Sequence, residues 1–203
     1  MNDRLVWIDC EMTGLDLATD ALIEVAVLVT DYELNVLGEG IDLVIAPPPG
    51  ALEQMGDFVR DMHTASGLLA ELPHGIPLAE AEQQVLDFIS AHVPDPRKAA
   101  LAGNSVGTDR TFLVRDMPKV ESHLHYRNVD VSSIKELVRR WYPRVYYATP
   151  AKSGNHRALA DITESIAELR YYRQTVFVPQ PGPDTETAKA AAASLVSDPI
   201  SGN

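Results

Sequence analysis

The stretch Val6-Trp7-Ile8-Asp9-Cys10-Glu11-Met12-Thr13-Gly14, residues 6–14, leads from an apolar run through two carboxylates to a Thr-Gly turn. Residues i and i+2 of a strand point to the same face of a sheet. Asp9 and Glu11 are therefore predicted to point together at the end of a buried strand, with Cys10 on the opposite face as a core residue. Two neighbouring carboxylates are costly inside a protein unless a cation neutralises them. The stretch predicts a site for a hard divalent metal, or else a strand end with two solvated acids.

Two further acids lie where helices are predicted to begin. Asp109 occupies such a start, and an acid is common there because the helix dipole favours it, so its position alone does not indicate chemistry. His156 and Asp161 are five residues apart and would point in different directions on a regular helix. They can share a site only if His156 lies at or before the first turn, which Gly154 and the N-cap residue Asn155 permit.

In order and spacing, the set Asp9-x-Glu11, Asp109 and His156-x4-Asp161 resembles the DEDDh family of 3′-to-5′ exonucleases. Four blocks are similar to the oligoribonucleases in particular: residues 7–15 (WIDCEMTGL), 63–68 (HTASGL), 103–105 (GNS) and 156–161 (HRALAD). The resemblance covers residues 4–173. It implies a 3′-to-5′ exoribonuclease that hydrolyses RNA of two to five nucleotides, dinucleotides especially, to mononucleotides.

The resemblance also assigns the chemistry. It implies that two Mg²⁺ or Mn²⁺ ions are held by four acids, which are Asp9, Glu11, Asp109 and Asp161. Such ions activate a water molecule and stabilise the leaving oxygen of the scissile phosphate. His156 would be the general base, a role that suits a histidine because its ordinary pKa is close to neutral pH.

Substrate contacts follow from the same resemblance. Leu15 and Phe58 match the two residues that bracket the bases, although the family usually has tryptophan where this chain has Phe58. A phenylalanine can still stack on a base over a smaller area, or it can be a partly buried helix residue. His63 matches a histidine near the 3′ end of the substrate, and it could equally cap a helix at Thr64.

Residues 125–133 resemble the family segment that binds the 5′ phosphate. The candidate ligands are Arg127, Ser132 and Ser133, together with Ser105. An arginine supplies a fork for phosphate oxygens, and a helix start favours anions. The alternative is a surface arginine beside serines that cap a helix. Family members are homodimers in which a tyrosine, here Tyr126, reaches the partner's active site.

The pattern of the chain predicts an α/β fold of ribonuclease H-like layout, a mixed five-stranded sheet flanked by helices. Strands are predicted at 5–9, 22–30, 43–46, 99–103 and 129–131. Helices are predicted at 51–57, 64–72, 77–92, 109–116, 132–142 and 156–173. Residues 1–178 would form the exonuclease domain. The Pro- and Ala-rich residues 179–203 are expected to be disordered, although the alanine run could form a short helix.

The composition of the chain indicates the length of its substrates and its cellular compartment. The 203 residues carry a net charge of −12, whereas proteins that track long nucleic acids usually present a basic face. The charge therefore favours very short substrates, in agreement with the resemblance. A single cysteine fits a reducing cytoplasm, and no apolar run is long enough to span a membrane.

Two alternatives remain open at this stage. One is another DEDDh exonuclease that acts on longer RNA or DNA ends. The other is a catalytically silent nucleic-acid-binding protein on the same fold, against which the presence of all four acids and the histidine argues.

Overall fold

The structure is a computed structural model that describes residues 4–151, 154 and 156–197. Its sheet has five strands: β1 (Arg4–Met12), β2 (Leu22–Asp31), β3 (Ile41–Val44), β4 (Ala100–Gly103) and β5 (His125–Asp130). Their order is β3-β2-β1-β4-β5. β1 pairs antiparallel with β2 and parallel with β4, so the predicted mixed sheet is confirmed. The first strand runs on to Met12, and the fifth begins four residues before the predicted position.

The helices are α1 (Asp57–Ala65), α2 (Leu68–Glu71), α3 (Leu78–His92), α4 (Gly107–Asp116), α5 (Pro118–His123), α6 (Val131–Trp141), α7 (Pro143–Tyr147), α8 (Ala158–Thr175) and α9 (Thr185–Ser197). A 3₁₀ turn, Leu72–His74, follows α2. The long helices near residues 78–92, 107–116, 131–141 and 158–175 agree with prediction within two residues at each end.

The predicted helices 51–57 and 64–72 were wrong. Residues 51–54 form turns, and the first helix begins only at Asp57. Gly67, at φ 83°, lies in the left-handed region between α1 and α2. That conformation interrupts a right-handed helix and favours glycine, so a continuous helix across it is not formed.

Alternating side chains of β1 enter two separate cores. Val6, Ile8 and Cys10 belong to a core on one face of the sheet, so the assignment of Cys10 to the core is confirmed. Leu5 and Trp7 belong to the core on the other face, which α6 and α8 cover. Because the alternation has a period of two, the face of Leu5 and Trp7 continues into Asp9 and Glu11. The carboxylates of β1 therefore point toward the side of the sheet on which α8 lies.

The chain beyond residue 178 holds helix α9, in which the alanine run lies. Side chains are exposed throughout residues 183–195. Among the described residues, none of the helices has the combination of length and apolar character that crossing a membrane requires.

Candidate active site

Three carboxylates meet at the end of β1. Asp9, Glu11 and Asp161 each offer an oxygen atom, and these atoms lie within 4.8 Å of one another. Asp9 and Glu11 come from β1, and Asp161 comes from the first turn of α8, which packs against that face of the sheet. The spacing of the strand and the packing of one helix are therefore sufficient to build the cluster.

The electrostatics of the cluster disfavour three bare negative charges. Burial raises the pKa of Asp9 to about 9, with further contributions from the charges of Asp109 and Glu11. Burial also raises the pKa of Glu11 to about 8, with Glu24 as the next contributor and Arg157 acting in the opposite direction. The ionised cluster therefore needs positive charge, and oxygen donors of this kind suit a hard divalent cation.

Asp109 lies beside the cluster, and one of its oxygen atoms is already engaged. The backbone N–H of Cys10 donates to Oδ1 of Asp109 over 2.9 Å. The side chain lies in the first turn of α4 and is buried, and burial raises its pKa to about 7. The structure thus brings Asp109 to the backbone of β1 between the two carboxylates of that strand.

His156 precedes α8 rather than belonging to it. The helix begins at Ala158 with Arg157 as its N-cap, two residues later than predicted. His156 is exposed and has φ 48°, and Gly154 has φ 65°. The predicted N-cap Asn155 lies outside the described residues. A β-carbon is disfavoured at such positive φ, so the position of His156 must be imposed by its surroundings.

His63 presents an unpaired ring nitrogen to the cluster. Its Nε2 lies 2.9 Å from the carbonyl oxygen of Met12, which can only accept, so Nε2 carries the proton of the neutral ring. The other nitrogen, Nδ1, is 4.0 Å from Oε2 of Glu11. It is buried and has no hydrogen-bond partner among the described residues. Burial lowers the pKa of His63, so the neutral form with Nδ1 as an acceptor is favoured.

A cleft of about 460 Å³ adjoins this site. Phe58 and His156 both line it, together with Asp61, Met62, Ala65, Ser66, Gly154 and Arg157. The side chain of Phe58 is 81% exposed, which contradicts the alternative that it is a partly buried helix residue. Leu15 is 72% exposed and follows β1 in the turn at residues 13–20.

Three of the candidate phosphate ligands, Ser105, Ser132 and Ser133, follow the carboxyl ends of β4 and β5. Ser105 and Ser132 are brought together, with their hydroxyl oxygens 3.1 Å apart. Asp130, which sequence reasoning did not single out, organises both residues, because its Oδ1 accepts from the backbone N–H groups of Ser105 and Ser132. Ser133 is exposed in the first turn of α6, and Arg127 is exposed on β5.

Several aromatic side chains form an exposed set on the same part of the chain. Tyr126 is 73% exposed, and the guanidinium carbon of Arg127 lies 5.3 Å from its ring centre. Trp141, Tyr142 and Tyr147 are also exposed, whereas Tyr146 packs against the core beneath α8. The two aromatic pairs of this region, Trp141-Tyr142 and Tyr146-Tyr147, are therefore mostly exposed, with Tyr146 as the member that packs against the core.

Sequence reasoning missed an ion-pair cluster next to His156. Arg157 bonds to Glu24, which is fully buried on β2, and to Glu71 at the end of α2. One signal was available, because Glu24 is the only charged residue in the apolar run 22–30. A buried charge without a partner is costly, so this position already required a cation.

This fold, with three carboxylates gathered at the end of its central strand, is that of an exonuclease. The model of the exonuclease family RNase_T matches residues 6–169, and the chain belongs to this family. Solved structures of exonuclease I share the fold. The complex of the E. coli enzyme with a 5cy-dT13 oligonucleotide matches with a TM-score of 0.60 and 17% identity over 87% of this chain and 42% of that chain. The chain therefore spans less than half the length of these structural relatives.

Within the family, the chain belongs with the oligoribonucleases. It is 71% identical to the oligoribonuclease of Streptomyces coelicolor over 196 residues, which cover 97% of this chain and 98% of that protein. It is 60% identical to the oligoribonuclease of Mycobacterium avium over 196 residues, which cover 96% of this chain and 91% of that protein. The resemblance found in the sequence and the ribonuclease H-like fold are thereby confirmed.

Proposed function

We propose that this chain is a 3′-to-5′ exoribonuclease that hydrolyses RNA of two to five nucleotides, dinucleotides above all, to mononucleotides. The observation that carries the proposal is the cluster of Asp9, Glu11 and Asp161 in a chain that is 71% and 60% identical to two oligoribonucleases over nearly its full length. The net charge of −12 supports short substrates, because a long nucleic acid would meet repulsion along an extended surface.

Two Mg²⁺ or Mn²⁺ ions are proposed to bind at Asp9, Glu11, Asp109 and Asp161. The residues fit this group, because buried carboxylates with raised pKa values are stabilised by a cation and offer only oxygen donors. Bound cations of this kind supply Lewis-acid activation of water and offset the charge that develops on a phosphate.

His156 is proposed as the general base. Its exposed imidazole lines the cleft and takes a proton from the attacking water. The water oxygen bonds to phosphorus and the bond from phosphorus to the 3′ oxygen breaks. The terminal nucleotide leaves as a 5′-monophosphate, and the 3′ oxygen of the shortened RNA takes up a proton from solvent to become a hydroxyl. His156 has a positive φ and lies before α8. Its imidazole is therefore outside the helix, where it can approach the cluster of Asp9, Glu11 and Asp161.

The terminal nucleotide is proposed to lie between Leu15 and Phe58. Both side chains are largely exposed, so each has a free apolar surface for a base to cover. His63 completes this end, because its buried Nδ1 can accept a hydrogen bond from a terminal ribose hydroxyl.

The polarity of the reaction can be tested with a five-nucleotide RNA labelled at its 5′ end. With Mn²⁺ present, we expect the label to pass through four-, three- and two-nucleotide products before it reaches the mononucleotide. Release of a labelled mononucleotide as the first product would contradict 3′-to-5′ hydrolysis.

The 5′ phosphate is proposed to bind at Arg127, Ser105, Ser132 and Ser133. The paired hydroxyls of Ser105 and Ser132 lie at the start of α6, and an arginine on the adjoining strand supplies a fork for phosphate oxygens. A phosphate held at this place fixes the distance to the scissile bond, so it favours the shortest RNA.

We expect Arg127→Ala to weaken cleavage of a dinucleotide by about tenfold to a hundredfold, since a charge-assisted bond contributes roughly 1.5–3 kcal/mol. Cleavage of a five-nucleotide RNA should change much less, because longer RNA has further contacts. Steady-state rates on both substrates provide the measurement, and Arg139→Ala, an exposed arginine of α6, is the matched control. An equal loss on both lengths would count against a phosphate cap.

A homodimer is proposed, with Tyr126 reaching the partner's site. Tyr126 is largely exposed and leaves its apolar ring available, as do Trp141 and Tyr147. We therefore expect the activity per chain to fall when the enzyme is diluted until light scattering reports a monomer. A monomer with undiminished activity would reject the dimer requirement.

A cytoplasmic location and the limits of the exonuclease domain are also proposed. A single cysteine, buried in the core, suits the reducing cytoplasm. The exonuclease domain is proposed to comprise residues 1–178, and the exposed helix α9 is proposed to be dispensable for hydrolysis. A chain that ends at Val178 should therefore keep most of the activity, and a large loss would contradict this proposal.

A further inference from the structure

The segment that carries His156 is held by one arginine and two glutamates. Arg157 donates from Nε to Oε1 of Glu24 over 2.8 Å, and its two terminal nitrogens donate to both oxygens of Glu71 over 2.9 and 3.0 Å. We call these three residues the Arg157 clamp. It joins β2, the end of α2 and the N-terminus of α8.

The clamp is anchored at its buried end. Glu24 has no exposed surface, and its second oxygen accepts the backbone N–H of Ala158 over 3.1 Å. Glu24 also stands directly opposite Glu11 in the register of β1 and β2. One glutamate therefore fixes both the side chain of Arg157 and the first residue of α8, next to the carboxylate cluster.

The donors of Arg157 are engaged on two sides, so this arginine is poorly placed to bind a phosphate itself. The fork of a guanidinium matches two carboxylates with a fixed geometry, which an ammonium group cannot reproduce. The residue before it, His156, is exposed and has a positive φ that does not persist without support. The clamp supplies a rigid support immediately next to that residue.

We propose that the Arg157 clamp positions the imidazole of His156 for proton transfer, so that Glu24, Arg157 and Glu71 act on catalysis through His156. The inference rests on the proposed function, in which His156 is the general base. Small errors in the placement of a reacting group cost large factors in rate. Arg157 lines the neighbouring cleft, but its donors are engaged by Glu24 and Glu71, so we expect substrate binding to depend mainly on the other residues of the cleft.

The test compares Arg157→Gln, Arg157→Lys and Glu71→Gln with Arg173→Gln. Arg173 is a control for the loss of an arginine from the same helix, because it lies at the other end of α8 and pairs with the exposed Glu33. On a dinucleotide with Mn²⁺, we expect Arg157→Gln to lower kcat by roughly tenfold to a hundredfold and to change KM by less than about threefold. Arg157→Lys should not restore the rate, since charge without the fork is insufficient.

A double-mutant cycle separates positioning from a general effect. Once His156→Ala has removed the base, Arg157→Gln should lower kcat by less than about twofold, because both substitutions act on the same step. The same fold loss in both backgrounds would overturn the proposal. Glu71→Gln is a second variant, to be used if Arg157→Gln does not fold, because the side chain of Glu71 is about half exposed. We expect Glu71→Gln to lower kcat by roughly threefold to tenfold.

The imidazole signals of His156 in NMR spectra provide a readout that needs no activity. They should shift or broaden in Arg157→Gln and Glu71→Gln and stay unchanged in Arg173→Gln. Unchanged signals in all three variants would overturn the clamp. If the wild type cleaves no short RNA, that result counts against the proposed function alone, and the His156 signals then decide the inference.

Discussion

Asp9→Asn is expected to lower kcat on an RNA dinucleotide at least about a thousandfold. A bound metal ion contributes several kcal/mol of charge stabilisation, and about 1.36 kcal/mol corresponds to tenfold in rate. Asparagine keeps the shape of the side chain but removes the charge that the cation requires. The measurement is the steady-state rate at saturating dinucleotide and Mn²⁺, with Glu39→Gln, an exposed acid, as the control.

In the metal-free protein, Asp9→Asn should instead reduce the loss of stability at alkaline pH. Burial and neighbouring charges raise the pKa of Asp9 to about 9 and that of Glu11 to about 8, both far above their ordinary values. A raised pKa means that the folded state binds more protons than the unfolded state between the two values. The free energy of unfolding in EDTA should therefore fall as the pH rises from about 7 to about 9.

Between about pH 7 and 9, the raised pKa values of Asp9 and Glu11 dominate the trend. His63 has a lowered pKa and contributes the opposite slope, but only below its ordinary value near 6.5. In EDTA, Asp9→Asn should reduce the loss of stability between about pH 7 and 9, and Mn²⁺ should stabilise the wild type more than the variant. An Asp9→Asn protein as active and as strongly stabilised by Mn²⁺ as the wild type would contradict the metal site.

His156→Ala is expected to lower kcat by about a hundredfold, which is the usual loss when a general base is removed. Stabilisation by Mn²⁺ should be nearly unchanged, because the three clustered carboxylates all remain. Thermal unfolding with and without Mn²⁺ and steady-state kinetics give the two values. His74→Ala, at an exposed histidine, serves as the control, and near-wild-type turnover of His156→Ala would remove this residue from the mechanism.

The part of the fold that sequence reasoning predicted well is governed by simple periodicity. The period of two in residues 6–11 placed Asp9 and Glu11 on one face and Cys10 in the opposite core, as the structure has them. The same reasoning allowed His156 to share a site with Asp161 only at or before the first turn of the helix, although the predicted helix began at His156 itself and the observed one begins at Ala158. Both conclusions needed only local geometry.

The errors lie where single backbone conformations or distant partners decide the structure. Gly67 adopts a positive φ that ends one helix and separates it from the next, and periodicity does not register such a break. The short helices that begin at Pro118 and Pro143 were not predicted, although proline is favoured at the first position of a helix. The bonds of Arg157 to Glu24 and Glu71 span 133 and 86 residues of sequence, a pairing that only the assembled sheet and helices make evident.

The measurement that tests the account most directly compares a 5′-phosphorylated RNA dinucleotide with a twenty-nucleotide RNA, first with Mn²⁺ and then with EDTA. We predict rapid cleavage of the dinucleotide, slow trimming of the longer RNA, and loss of both activities in EDTA. A preference for the twenty-nucleotide RNA would contradict the proposed phosphate cap, and dinucleotide cleavage that persists in EDTA would contradict metal-dependent hydrolysis at Asp9, Glu11 and Asp161.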